Sequence, residues 1–330
     1  MTDHHLDDEP LAPPLATPAQ QRTATGFLIL ATVCWGCSFS WAKFIGDFAN
    51  QRLGLAANHP AGPVLILGFR FTLAAILWFA VFPHARRAWS KRSFQRGVLL
   101  GVLMAIGMVL QMLGLDRTSP SVSAFLTALT VLFVPLISLA RFFKSPSPVM
   151  WLGVVLATVG IWMMTGATPT GFGLGEALGV GCAIAFSVYL LAVNAIVPRD
   201  NPFRMTGLSM LVTGLLSFAV AGGLIVHSGG RMDWGLVLAG PAWPRLLLLV
   251  CFPTVAAFGI LTHFQPRIDA TRASLLYLFE PVFAAIYDYL ENGRMLIPIA
   301  LAGATLIIVA NVLVELWSRR RGEIDHIEIS

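Results

Sequence analysis

Apolar positions in this chain gather into ten long runs, separated by short polar connectors. The runs cover residues 26–46, 63–82, 97–115, 121–140, 149–166, 174–197, 205–226, 246–265, 273–290 and 295–317. Each approaches the roughly 20 residues that a helix needs to cross about 30 Å of hydrocarbon. None shows the short polar–apolar alternation of a membrane barrel strand. The pattern predicts an all-α membrane protein with ten transmembrane helices. Residues 1–24 are polar and Pro-rich and read as a disordered tail; 318–330 read as a second tail. A secretory signal would start basic and turn apolar at once. Here Asp3, Asp7, Asp8 and Glu9 come first, so the run from Gly26 is expected to stay as a membrane helix.

Composition agrees with the pattern. Of 330 residues, 56% are hydrophobic and 12% charged. A soluble domain carries about 25% charged residues, and this chain has too little polar surface to cover one aqueous core. The net charge of +5 would raise nucleic acid as a partner in a soluble protein. Here the basic residues sit in connectors, where they set orientation. With ten spans, 15 fall on one side, in the stretches 22, 86–96, 141–144, 199–204, 267–272 and 319–321. Five fall on the other: Arg52, Arg117, Arg231, Arg245 and Arg294. This bias places both termini in the cytoplasm, with the chain in the inner (plasma) membrane. Cys34, Cys37, Cys182 and Cys251 all lie in apolar runs and read as small helix residues.

The chain also echoes itself. Leu132-Phe133-Val134-Pro135-Leu136 resembles Leu278-Phe279-Glu280-Pro281-Val282, each in the fourth span of a five-span half. Gly153 and Gly303 follow in the next span of each half. Five is odd, so the second half must insert upside down relative to the first. The expectation is two inverted five-helix repeats, 25–166 and 167–317, as in secondary transporters. Gly97, Gly101, Gly175 and Gly179, together with Gly153, Ala157 and Gly160, mark faces where helices approach closely.

Several segments carry a resemblance in the same order. These are Trp35-Gly36-Cys37-Ser38-Phe39, Arg70-Phe71, Gln111 with Gly114-Leu115, Phe125 to Thr130 running on to Pro135, Glu280-Pro281-Val282-Phe283, and Gly303-Ala304-Thr305. Together they resemble an EamA-type member of the drug/metabolite transporter superfamily over roughly residues 25 to 315. The resemblance implies two inverted five-helix repeats, no cofactor, and transport of small metabolites, often export.

Ionisable groups inside a span are costly and hence functional candidates. Glu280 lies near the centre of its span and Arg70 about a third of the way into its own. Lys43, Glu176 and Asp288 lie near span ends, as does His263. Desolvation disfavours a charged carboxylate, so Glu280 is a candidate for exchanging protons with a transport cycle. The alternative is structural: Glu280 pairs with Arg70, or compensates the backbone bond that Pro281 removes. Arg70 divides the same way, between holding a substrate carboxylate and neutralising an acid. Further candidates for a pocket lining are Trp35, Ser38, Gln111, Thr127, Thr130, Tyr189 and Tyr277. For the hydroxyls, a bond to the helix backbone is an equal reading; for Trp35, packing beside Gly36 is.

No Walker A loop, zinc-protease or nucleophile-elbow motif occurs, and the connectors leave no room for a catalytic domain. The leading expectation is a secondary transporter of a small organic metabolite, amino acid-like or drug-like, working by alternating access, with protons as a candidate coupling partner. It would act as a monomer or homodimer. A non-transporting membrane partner and a membrane-embedded lipid-modifying enzyme stay open beside it.

Overall fold

The computed structural model describes residues 16–36, 38–56, 59–87, 89–115, 117, 120–142, 146–166, 172–230, 242–293 and 297–327. Among them there are helices and no strand. In chain order these are α1 (Pro18–Gly36), α2 (Ser38–Leu53), α3 (Ala61–Val81), α4 (Lys91–Leu115), α5 (Pro120–Ala128), α6 (Thr130–Phe142), α7 (Pro148–Thr165) and α8 (Leu174–Ile196). Then come α9 (Pro202–His227), α10 (Ala242–Val250), a π-turn over Cys251–Ala256, α11 (Ala257–Phe264), α12 (Ala270–Tyr277), α13 (Phe279–Asn292) and α14 (Pro298–Ile327).

Eight stretches of helix among the described residues are long and apolar enough to cross a membrane. The two other expected spans are divided. Run 26–46 is shared by α1 and α2, and run 273–290 by α12 and α13. No single piece of either meets both requirements. Cys37 and the side chains of Lys43 and Asp288 lie outside the described residues.

The first helix begins earlier than the apolar run, inside the expected tail. Thr17 and Gln20 explain this. The Thr17 N–H donates to Gln20 Oε1 at 2.9 Å, and the Gln20 N–H donates to Thr17 Oγ1 at 3.3 Å. That reciprocal box, with Pro18 in the first helical position, is a strong start signal. The last helix likewise continues to Ile327, into the expected second tail.

Packing is inverted relative to a soluble protein. On α7, Gly153, Ala157 and Gly160 face inward, while Leu152, Val155, Val159 and Trp162 are exposed. On α14, Ala300, Ala304 and Ala310 are buried, while Leu301, Ile308, Val309 and Val312 are exposed. Small residues inside and large apolar ones outside suit lipid, where close backbone approach holds helices together. The largest buried cluster joins α3, α4, α8, α9 and the α10–α11 stretch; a second joins α7 and α14 with α6 and α12.

The contacts recur with partners exchanged. A Cβ added at Gly68 of α3 would meet Phe218 of α9, and one at Gly214 of α9 would meet Thr72 of α3. The echo that sets Leu132 opposite Leu278 also sets Gly68 opposite Gly214 and Thr72 opposite Phe218. A Cβ at Gly303 would press on Gly160, while Gly153 lies against Ala310 and Val314. The equivalence of Gly153 with Gly303 carries Gly160 onto Ala310. Glycine motifs elsewhere do the same work: Gly97 and Gly101 admit Leu208 and Val212, and Gly179 admits Leu126.

Candidate functional site

The chain is interrupted where the first and ninth expected spans meet. Gly36 ends α1, and a Cβ there would lie 2.8 Å from the Ala284 nitrogen and 2.9 Å from the Glu280 carbonyl. Only glycine lets these backbones touch. Leu278 alone separates α12 from α13, with φ −70° and ψ −5°. Pro281 removes an N–H from the first turn of α13, where a helix has no internal partner for one anyway. Glu280 therefore stands in the first turn of a half-helix, whose free N–H groups and positive dipole end favour a carboxylate.

The eighth span opens beside this point. Pro253 lies within the π-turn, and such a turn leaves carbonyls without their usual partners. Trp35 Nε1 donates to the Pro253 carbonyl at 2.9 Å, and Arg70 Nη2 donates to the same oxygen at 3.1 Å. Arg70 Nε donates to the Thr254 hydroxyl, which in turn donates to the Leu249 carbonyl at 2.7 Å. Arg70 is 8% exposed and Thr254 fully buried. So two arms of the guanidinium close an opened helix.

The third arm, Nη1, has no hydrogen-bond partner among the described residues. Nor does the Glu280 carboxylate, although the two groups are near enough to act on each other electrostatically. No ion pair joins them among the described residues. The expected Arg70–Glu280 pairing is thus a through-space relation, not a bonded one.

The nine candidates divide into groups. Trp35 and Arg70 meet at the Pro253 carbonyl, the Trp35 ring lies edge-on to Tyr277 at 5.5 Å, and Glu280 lies near Arg70. Ser38 is spent locally, donating to the Trp35 carbonyl at 2.7 Å. Thr127 and Thr130 belong to another crossing, α5 and α6 against α8. Thr127 Oγ1 lies 3.8 Å from Cys182 Sγ, and Thr130 donates to the Thr127 carbonyl at 2.7 Å. Tyr189 is 2% exposed and packs in the main core. Gln111 is half-buried on α4, with no hydrogen-bond partner among the described residues. An apolar groove of about 190 Å³ opens between Trp78, Phe203, Ile260, His263 and Phe264. None of the nine lines it.

Sequence reading missed Pro253 and Thr254, and it missed a buried polar chain. Tyr277 donates to Gln265 Oε1 at 2.8 Å, and Gln265 Nε2 donates to the Leu190 carbonyl at 2.8 Å and to Asn194 Oδ1 at 2.6 Å. Asn194 then donates to the Ile268 carbonyl at 2.9 Å. Uncharged polar residues inside spans were the available signal. Arg272 was also missed as a tie: it pairs with Glu315 and donates to Gln21 Oε1 at 3.3 Å and Thr25 Oγ1 at 3.0 Å.

Known proteins share this chain's pattern. An uncharacterised transporter of Archaeoglobus fulgidus is 23% identical over 289 residues, spanning 88% of this chain and 84% of that protein. A WAT1-related chloroplastic protein of Arabidopsis thaliana is 25% identical, spanning 84% and 70%. The threonine/homoserine exporter RhtA of Escherichia coli is 25% identical over 194 residues, spanning 57% and 62%. A solved crystal structure shares the fold with a TM-score of 0.68 at 19% identity, covering 91% of this chain and 98% of its own. The archaeal and E. coli relatives are transporters by name, which sets aside the membrane-embedded enzyme. The EamA-like transporter family model matches twice, at residues 23–166 and again at 173–316, and the chain belongs to that family of multi-pass membrane transporters.

Proposed function

We propose that this protein exports a small organic metabolite, amino acid-like or drug-like, by alternating access between two inverted five-helix repeats. The observation that carries the reading is the meeting of broken helices around Pro253. Discontinuous helices that meet are how secondary transporters build a midplane site; here an unbonded carboxylate stands at a half-helix start, with a free guanidinium arm near it. Arg70 Nη1 addresses an anionic group of the substrate. Glu280 takes up and releases the proton that couples the cycle. Trp35 and Tyr277 form the wall.

In this reading the divided first and ninth spans each cross the membrane, giving ten, with both termini in the cytoplasm and the bundle in the inner membrane. The RhtA relative, named as an exporter of threonine and homoserine, supports the direction and an amino acid-like cargo.

The test is flux in proteoliposomes across a panel of amino acids and drug-like cations, with and without a pH gradient. Gradient-dependent flux of at least one compound is expected. Glu280→Gln is expected to remove the pH dependence while the protein folds and inserts at normal abundance. A fall in abundance would instead mark Glu280 as structural, and no flux under any condition would refute the transport reading.

A further inference from the structure

The two halves of the ninth span are held very differently. Every residue of α12 from Ala270 to Leu276 is buried. Both of its ends are tied: Arg272 reaches Glu315, Gln21 and Thr25, and Tyr277 donates to Gln265 at 2.8 Å. On α13, Val282 is the one buried residue among those whose side chains are described, and Ile286, Tyr289 and Leu290 are exposed. A segment with few buried contacts is among the first to open.

Two contacts hold α13 to the first span. Next to the break, Gly36 lets α1 lie against the Glu280 carbonyl and the Ala284 nitrogen. Further along, Trp41 Nε1 donates to the Tyr287 hydroxyl at 3.1 Å, with the two rings edge-on at 6.1 Å. Among the described residues this is the one side-chain hydrogen bond between α13 and another helix. Trp41 itself stands on a firm post. Ile45, Ala49 and Leu53 of α2 lie in the main core. Asn50 joins α2 to the start of α3, donating to the His59 carbonyl at 2.7 Å and accepting from the Gly62 N–H at 2.8 Å. The chain between the two halves can bend. Leu278 alone separates them, and Pro281 lacks the N–H that would have bonded to the Tyr277 carbonyl and run the helix on. Hinges are a few element-terminal residues of this kind.

We infer that α13 is a gate over the Arg70–Glu280 site: it swings about Leu278 and is latched by the Trp41–Tyr287 hydrogen bond. The inference rests on the transport reading and gives that cycle its moving part. Under the proposed orientation Tyr287 lies on the outer side of Glu280. Release of the latch therefore opens the site outward, while α12 keeps the cytoplasmic side shut. Glu280 rides on α13, two residues past the hinge, whereas Arg70 is anchored to Pro253 and Thr254. Each swing of the gate changes the separation of the two charges.

Hydrogen–deuterium exchange of the substrate-free protein in lipid nanodiscs tests this, read peptide by peptide by mass spectrometry. It needs no cargo, so a failure here is separate from a failure of the flux assay. Amides of α13 are expected to exchange about tenfold faster, or more, than those of α12. Trp41→Phe keeps a ring but removes the donor. It should speed α13 by about a further fivefold, the effect of one lost hydrogen bond, with α12 unchanged. Tyr287→Phe removes the acceptor, should do the same, and carries the test if Trp41→Phe does not fold. Equal exchange in the two half-helices of the unaltered protein would overturn the proposal. So would α13 exchange left unaltered by both variants, or a rise spread evenly over α12 and α13, which is general loosening.

Discussion

Replacing Thr254 by Val removes one hydroxyl at nearly constant volume. That hydroxyl accepts from Arg70 Nε and donates to the Leu249 carbonyl. A hydrogen bond to a charged group contributes about 1.5–3 kcal/mol, and a buried guanidinium arm left unbonded costs in the same range. The helix opening at Cys251–Ala256 has few other closures, so little relaxation is available. A loss of about 2 kcal/mol follows. Unfolding entropy near 2.1 cal/mol/K per residue turns this into a fall in Tm of about 3 °C for a chain of this size. The assay is thermal unfolding in detergent of T254V, R70M and the double variant. Because both residues close one opening, their effects should overlap, with a coupling of about 1–2 kcal/mol. Additivity within about 0.5 kcal/mol would refute the reasoning: Arg70 would then owe its position to something other than the opened helix.

Gly36→Ala should lower Tm by an amount equivalent to about 1–3 kcal/mol, because the new methyl meets the backbone of Ala284 and Glu280. Gly222→Ala, where an added Cβ meets nothing within 4 Å, is the control and should leave Tm unchanged or slightly raised. Arg272→Gln removes the buried cation that faces Glu315, at a cost of about 3 kcal/mol; R272Q/E315Q should recover part of the loss. An equal or greater loss in the double variant, read by the same thermal scan, would show that the charge pairing is not what matters. Gln265→Leu breaks the Tyr277–Gln265–Asn194 chain and should destabilise by about 2 kcal/mol or more, because it leaves Asn194 and Tyr277 unsatisfied at once.

Hydropathy located the membrane segments because lipid rewards long apolar runs whatever happens inside them. For the same reason it passed over the interruptions. Leu278 is as apolar as its neighbours, so the break between α12 and α13 leaves no mark in a windowed average. The π-turn had a visible cause in Pro253, but proline is common enough in membrane helices to carry little weight. Arg70 was legible as a costly charge. Its partner was not, since Thr254 and a backbone carbonyl carry no charge to match. Ser38 and Thr130 were read as pocket polar groups, and the structure turns both back on the carbonyl three residues earlier, in the last turn of the preceding helix, at 2.7 Å each. Local backbone bonding of that kind is available to any helical Ser or Thr, so sequence alone does not separate it from an inward-facing hydroxyl. The early start of the first helix is written in Thr17-Pro18-Ala19-Gln20, a local capping signal that lies before the apolar run and leaves no trace in hydropathy.

The exchanged contacts across α3 and α9 show what a single chain can do that a pair of identical halves cannot. In a dimer of two identical halves, a residue on the symmetry axis meets its own copy, and knob and hole must be cut from one sequence. Fusion into a single chain lifts that restriction. Gly68 and Gly214 are both small, yet one faces Phe218 and the other faces Thr72. A single chain can thus set an aromatic ring against one glycine and a hydroxyl against its counterpart, a choice that two identical subunits could not make.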